Sequence, residues 1–288
     1  MIEPDPLDID HLRGWIGRTT TASDVISPQR ARELWATLDI DVGSVVMGDL
    51  APLAIHWCLA PLVAATTALG PDGHPPRGDF LPPVPLPRRM WASSRLQLVD
   101  PLRIGDAIER RSRIVDVTVK QGRSGTLCFV ALDHDTVSER GTAVIERQTI
   151  VYRGAEPVVA PPAIAATPLA ASRSDIDWHS DRVASTALLF RYSALTFNAH
   201  RIHYDRDYAR DEEGYPGLVV QGPLLATQLL DFAATIVRRP PGTFTFRGLQ
   251  PLFDNVPYRL CARGDDTALS LWIETGDGSR TTEAEARW

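Results

Sequence analysis

The sequence predicts a tandem α+β protein, in which an antiparallel sheet wraps a long apolar helix twice along one chain. Three observations predict it. Each half holds one helix-length run that is apolar almost all round, at Ile55–Leu69 and Pro223–Val237. Each run is followed by four strand-like segments separated by turn signals. Between the halves lies Gly154–Pro168 (GAEPVVAPPAIAATP), with four prolines and no charge after Glu156, which reads as an extended linker.

In chain order, Pro28–Leu38 reads as a helix, and Ile55–Leu69 as a second helix apolar enough to be buried. Gly70–Pro87 is rich in proline and glycine and has neither helix nor strand period, so it is a loop. Strands follow at Met90–Val99, Ala107–Val119, Gly125–Thr136 and Thr142–Arg153, broken at Asp100-Pro101, Gln121-Gly122 and Arg140-Gly141. Ile114, Val115, Val117 and Val119 give the second of these a β-branched composition. Past the linker, Ala184–Tyr192 reads as a strand, Asn198–Asp211 as a polar segment and Pro223–Val237 as the buried helix. Strands then come at Thr243–Phe253, Val256–Ala262, Ala268–Glu274 and Thr281–Trp288. The expected organisation is therefore a first unit at 1–153, a linker at 154–168 and a second unit at 169–288.

Composition narrows the function classes. At 288 residues and 44% hydrophobic, the chain has enough apolar side chain for two cores. A formal charge of −6 speaks against nucleic acid as a partner. Lys120 is the only lysine among 30 basic residues; the other 29 are arginines, which are forked donors suited to phosphate and carboxylate. Cys58, Cys128 and Cys261 are scattered, so neither a disulfide framework nor a thiolate zinc site is expected. The acidic N-terminus has no apolar signal-like region, and the apolar run Trp57–Leu69 is short of a membrane span. These features predict a cytoplasmic protein with no membrane partner.

One constellation carries chemistry. Tyr192-Ser-Ala-Leu-Thr-Phe-Asn198-Ala-His200-Arg-Ile-His203-Tyr-Asp205 places an amide, two imidazoles and a carboxylate within one or two turns of chain. Soon after comes Gly214-Tyr-Pro-Gly-Leu-Val-Val-Gln221-Gly222-Pro223, a tight turn and apolar strand leading into the buried helix. Proline is well tolerated at a helix start, and glycine before it admits another atom close to the backbone. The free N–H groups there suit an oxyanion.

These residues resemble the hydratase 2 or MaoC-like family of R-specific enoyl-thioester hydratases and dehydratases, whose motif is S-G-D-x-N-P-L-H. Aligned on His203, this sequence reads Thr196-Phe-Asn198-Ala-His200-Arg-Ile-His203. His203 thus takes the catalytic histidine's place, Asn198 stands where the family has aspartate, and His200-Arg201 replaces Asn-Pro. The longer string, with Leu86-Pro-Arg-Arg-Met-Trp91-Ala and Glu146–Arg153, is similar to the branch of mesaconyl-C4-CoA hydratases and mitochondrial type 2 hydroxyacyl-thioester dehydratases. The resemblance implies a double hotdog fold whose first half has lost the catalytic motif. It also implies reversible hydration of a 2-enoyl thioester. His203 would be the general acid/base, Asn198 would position water, and the Gly222 N–H would hold the thioester oxygen.

Coenzyme A then enters as part of the substrate, with no separate cofactor and no metal expected. Acyl-carrier protein is the alternative carrier, and a homodimer is compatible with the fold. Arg88 and Arg89 are the local pair for CoA phosphates or a substrate carboxylate, and Tyr215, Gln221 and His200 are candidate pocket residues. Each has a plainer reading: a solvated strand start for the arginines, a structural corner for the histidines, helix packing for Gly222. His200 and His203 share a helix face and could ligate zinc, but no H-E-x-x-H or third ligand is evident. A hotdog thioesterase is the competing enzyme class, disfavoured because no carboxylate stands closer before Pro223 than Glu213. A non-catalytic thioester-binding subunit is the third reading.

Overall fold

The computed structural model describes residues 7–122, 125–155, 167–171 and 174–288. Most of the expected linker at 154–168 lies outside the described residues. The first half holds α1 (Ile9–Arg13), β1 (Thr19–Val25), α2 (Pro28–Thr37), β2 (Arg88–Leu98), β3 (Ala107–Gly122), β4 (Gly125–Ser138) and β5 (Gly141–Arg153). The second holds β6 (Trp178–Val183), α3 (Thr186–Thr196), α4 (Arg206–Asp211), α5 (Gly222–Val237), β7 (Thr243–Gly248), β8 (Pro257–Gly264), β9 (Ala268–Thr275) and β10 (Arg280–Arg287).

The ten strands form one antiparallel sheet in the order β1-β3-β4-β5-β2-β7-β10-β9-β8-β6. Counted inward from either edge, the two halves repeat the same connectivity: β1, β3, β4, β5, β2 against β6, β8, β9, β10, β7. They meet at β2 and β7, paired from Ser93 with Arg247 to Gln97 with Thr243. Together with the second half's long helix, this is the expected α+β double hotdog.

α5 fills the middle. Leu224, Leu225, Ala226, Leu229, Leu230 and Ala233 are buried, and the helix packs on β7 to β10 while also reaching β2. The same core takes Leu96, Ile108 and Val144 from the first half. Fully burying one leucine is worth about 1.5–3 kcal/mol, so this helix ties the two half-sheets together.

Two expected elements are corrected. The long first-half helix over Ile55–Leu69 is absent; only short 3₁₀ turns form, at Ile55–Cys58 and Thr66–Ala68. Pro61 falls inside that run, where it lacks the N–H and clashes with the preceding turn. Ala54 and Ala60 adopt left-handed backbone instead, at φ 61° and 46°. In α5 the proline stands in the first turn, where the helix has no bond to lose. The expected strand over Ala184–Tyr192 is the helix α3, opened by Ser185, whose hydroxyl accepts from Leu188 N–H at 3.1 Å. Its alanines and leucines favour a helix once a serine caps it. The strand in this region is β6, just upstream. Among the described residues no helix is long and apolar enough to cross a membrane.

Candidate active site

The chain leaves α3 through Phe197, in the left-handed region at φ 52°, and turns into Asn198–Asp205. Asn198 Oδ1 accepts the His200 N–H at 3.0 Å, an Asx turn that shapes the bend. The 3₁₀ turn Arg201–His203 follows, and Asp205 then caps α4 by accepting from Tyr208 N–H at 3.0 Å. Two bonds fix this segment to the chain leading into α5. Val219 N–H donates to Ile202 O at 2.9 Å, and His203 Nδ1–H donates to Val219 O at 2.7 Å.

The second bond sets the tautomer. A carbonyl can only accept, so His203 carries its proton on Nδ1 and keeps Nε2 as a lone pair. The ring is 7% exposed, and burial, reinforced by His200, pushes its pKa down to about 3 against the pull of the Val219 carbonyl. A buried neutral imidazole results, with Nε2 as its unprotonated nitrogen. Three residues after Val219 stands Gly222, the first residue of α5, whose N–H has no carbonyl to meet inside the helix. A Cβ built on Gly222 would meet only Trp91 O, at an ordinary 3.6 Å. Packing therefore does not demand glycine here.

Around His203 lie groups from both halves. His200 meets it edge to face at 5.4 Å between ring centroids, and His200 Nε2 is 3.4 Å from Glu213 Oε1. His74, from the proline-rich loop of the first half, stacks on His200 at 4.1 Å. Its Nδ1 bonds Asp72 Oδ2 at 2.9 Å. Burial pushes His74 down to about 3. For Asp72, burial works upward, but hydrogen bonds from the His74 side chain and backbone outweigh it and hold the carboxyl well below its usual range. Asp72, His74 and His200 have ligand atoms within 4.8 Å of one another, the candidate metal group among the described residues. The His74 and His200 ring planes are tilted by 38°, and His74 Nδ1 is engaged by Asp72.

Comparisons with known proteins agree on one family. The family model for hydroxyacyl-thioester dehydratase type 2 matches residues 54–254. The mesaconyl-C(4)-CoA hydratase of Chloroflexus aurantiacus is 43% identical over 274 residues, covering 94% of this chain and 95% of that protein. The chain belongs to the hydroxyacyl-thioester dehydratase type 2 family. Crystal structures share the fold at low identity. HtdX of Mycobacterium tuberculosis aligns at TM-score 0.65 and 17% identity, over 94% of this chain and 99% of that one. A Mycobacterium tuberculosis protein described as a double hotdog aligns at TM-score 0.58 and 13% identity, over 94% and 96%.

Within this type 2 dehydratase frame the remaining sequence candidates separate. Gln221 is 1% exposed and donates to Leu189 O and Ser193 Oγ, both at 2.9 Å, so its amide ties the start of α5 to α3. Tyr215 packs beneath the turn with Ile202 and Ala209, its phenol accepting from Arg153 at 3.3 Å. Arg88 is buried, with Nε 3.9 Å from Glu213 Oε2. Arg89 is half-buried opposite Tyr152 and close enough to His74 to help depress its pKa. Sequence reading missed Asp72 and His74 as site residues, and it weighed Glu213 only against a thioesterase. The signal available was a histidine two residues after an aspartate in a Gly-Pro-rich loop, which has no period to place it.

The first half offers a contrast. The chain leaves α2 through Asp39 at φ 59°, much as it leaves α3 through Phe197, yet Ile40 to Val46 carries no imidazole.

Proposed function

We propose that this chain is a hydro-lyase that adds water reversibly across a 2-enoyl-CoA thioester to give the 3-hydroxyacyl-CoA, with a mesaconyl-C4-CoA-type substrate. The observation that carries the reading is His203, buried and neutral, its Nδ1–H locked on Val219 O so that Nε2 is the basic atom. Its Nε2 takes a proton from water, and the hydroxide adds at C3. The double-bond electrons move onto the thioester oxygen, which the Gly222 N–H holds. The enolate then collapses as His203 returns the proton to C2. A positioned imidazole is typically worth ~10²–10⁴ in rate, and one oxyanion donor ~10²–10³. Asn198 Oδ1 is engaged by the His200 N–H, so the amide NH₂ is the group assigned to hold the water.

The substrate class rests on the 43% identity to the Chloroflexus aurantiacus enzyme. A dicarboxylyl chain needs a cation for its free carboxylate, and Arg89 is assigned that role ahead of Arg88, which already faces Glu213. Coenzyme A is the carrier in this reading, with no separate cofactor. Cys58, Cys128 and Cys261 are all buried and suit the reducing cytoplasm. Glu213, a carboxylate beside His200, favours thioester hydrolysis as the second reading.

One experiment separates them. Purified protein is incubated with mesaconyl-C4-CoA and, separately, crotonyl-CoA, while enoyl absorbance and free thiol are followed. Loss of absorbance without thiol, faster with the dicarboxylyl substrate, is the expected result. Thiol release would establish the hydrolase instead.

A further inference from the structure

Among the described residues no carboxylate is hydrogen-bonded to His203. Its Nδ1–H goes to a peptide carbonyl and its ring neighbour is another imidazole. Two carboxylates connect to it through intervening rings: Glu213 through His200, and Asp72 through His74 against His200.

The Asp72–His74 pair is built onto the catalytic turn from the other half of the molecule. Asp72 O accepts the Arg201 N–H at 2.9 Å, and Pro71 O accepts Arg201 Nη1 at 3.0 Å. Gly73 sits at φ 84° with the Ala199 carbonyl against it; a Cβ there would lie 1.9 Å from that oxygen. One carboxylate holds His74 twice, by its backbone N–H at 3.0 Å and its ring at 2.9 Å. This half-buried ring is thus anchored at two points.

We propose that Asp72 and His74 are positioning residues of the active site, supplied by the first half to hold His200, and through it His203, and to place negative charge near the proton that His203 takes up. The inference rests on the hydratase reading above. When His203 takes a proton from water, a cation appears in a buried site whose ring neighbour is another imidazole, His200. Ionised Asp72, together with Glu213, offsets that charge, while the stacked rings keep Nε2 aimed.

The test uses full-length protein and the enoyl-CoA substrate that the wild type hydrates. Asp72→Asn and His74→Gln each leave the Asp72 backbone carbonyl on Arg201. Each is expected to lower kcat by ~10–100-fold, with KM within about threefold of wild type. The double variant should be no slower than the worse single variant by more than about threefold, because the pair acts as one unit. Asp72→Glu, which keeps the charge, should retain more turnover than Asp72→Asn. Thermal unfolding checks that each variant is folded. A folded variant with kcat within about threefold of wild type, a loss confined to KM, or multiplying effects in the double variant would each overturn the proposal while leaving the hydratase reading intact. A wild type that hydrates no enoyl-CoA would remove both.

Discussion

At His203 a single hydrogen bond decides the chemistry. The Val219 carbonyl accepts from Nδ1–H, burial keeps the ring neutral, and Nε2 is left as the free lone pair that the proposed mechanism uses. Replacing His203 with glutamine should lower kcat by ~10²–10⁴ while the thermal midpoint changes little. Asn198→Ala should cost about tenfold; turnover near wild type would remove the amide from the mechanism. Because protonation of His203 is displaced to about pH 3, kcat/KM should stay level from pH 8 down to about 5. A falling limb centred near the ordinary imidazole value would contradict a buried base. Asn198, His203 and Gly222 stand out in the sequence because they lie within one short stretch of chain with a family-like spacing. Asp72 and His74 do not, since what brings them to the site is a tertiary contact with Ala199 and Arg201.

Among the elements, α5 and the failed helix opposite it make a useful pair. Both were read as buried helices from their apolar runs. The runs differ in where proline falls: in the first turn of α5, and midway at Pro61 in the other. That distinction was in the sequence and was outweighed by hydrophobicity. The β-meanders of both halves were legible because their turns are marked by glycine, proline or aspartate. α3 was misread because a short apolar run fits either periodicity, and only the Ser185 cap tells them apart. Gly222 offers a clean test at this scale. Its surroundings admit a methyl group, and alanine favours helix, so Gly222→Ala should leave stability within about 1 kcal/mol of wild type. In the proposed mechanism the same methyl stands where the thioester oxygen approaches the N–H, and kcat/KM should fall by ~10–10³. Loss of stability with unchanged kcat/KM would return Gly222 to a packing role.

For the molecule as a whole, neutral histidines, buried at His56 and His203 and half-buried at His74 and His134, link folding to pH. Burial pushes His56, His74 and His203 down to about 3 and His134 to about 4. In the unfolded chain all four protonate near 6.5, so below that pH the unfolded state binds more protons and stability falls as pH falls. Each contributes up to about 1.4 kcal/mol per pH unit down to its folded value. Thermal midpoints at pH 7.5, 6.5 and 5.5 should therefore drop more steeply over the second interval than the first, and His134→Gln should flatten the slope. A midpoint unchanged to pH 5.5 would contradict it. Finally, the five-residue ladder between β2 and β7 makes one sheet of two units on a single chain. The site that spans them thus assembles in a first-order step. Its specific activity should be the same at nanomolar enzyme as at micromolar, since neither half has to find its mate in solution.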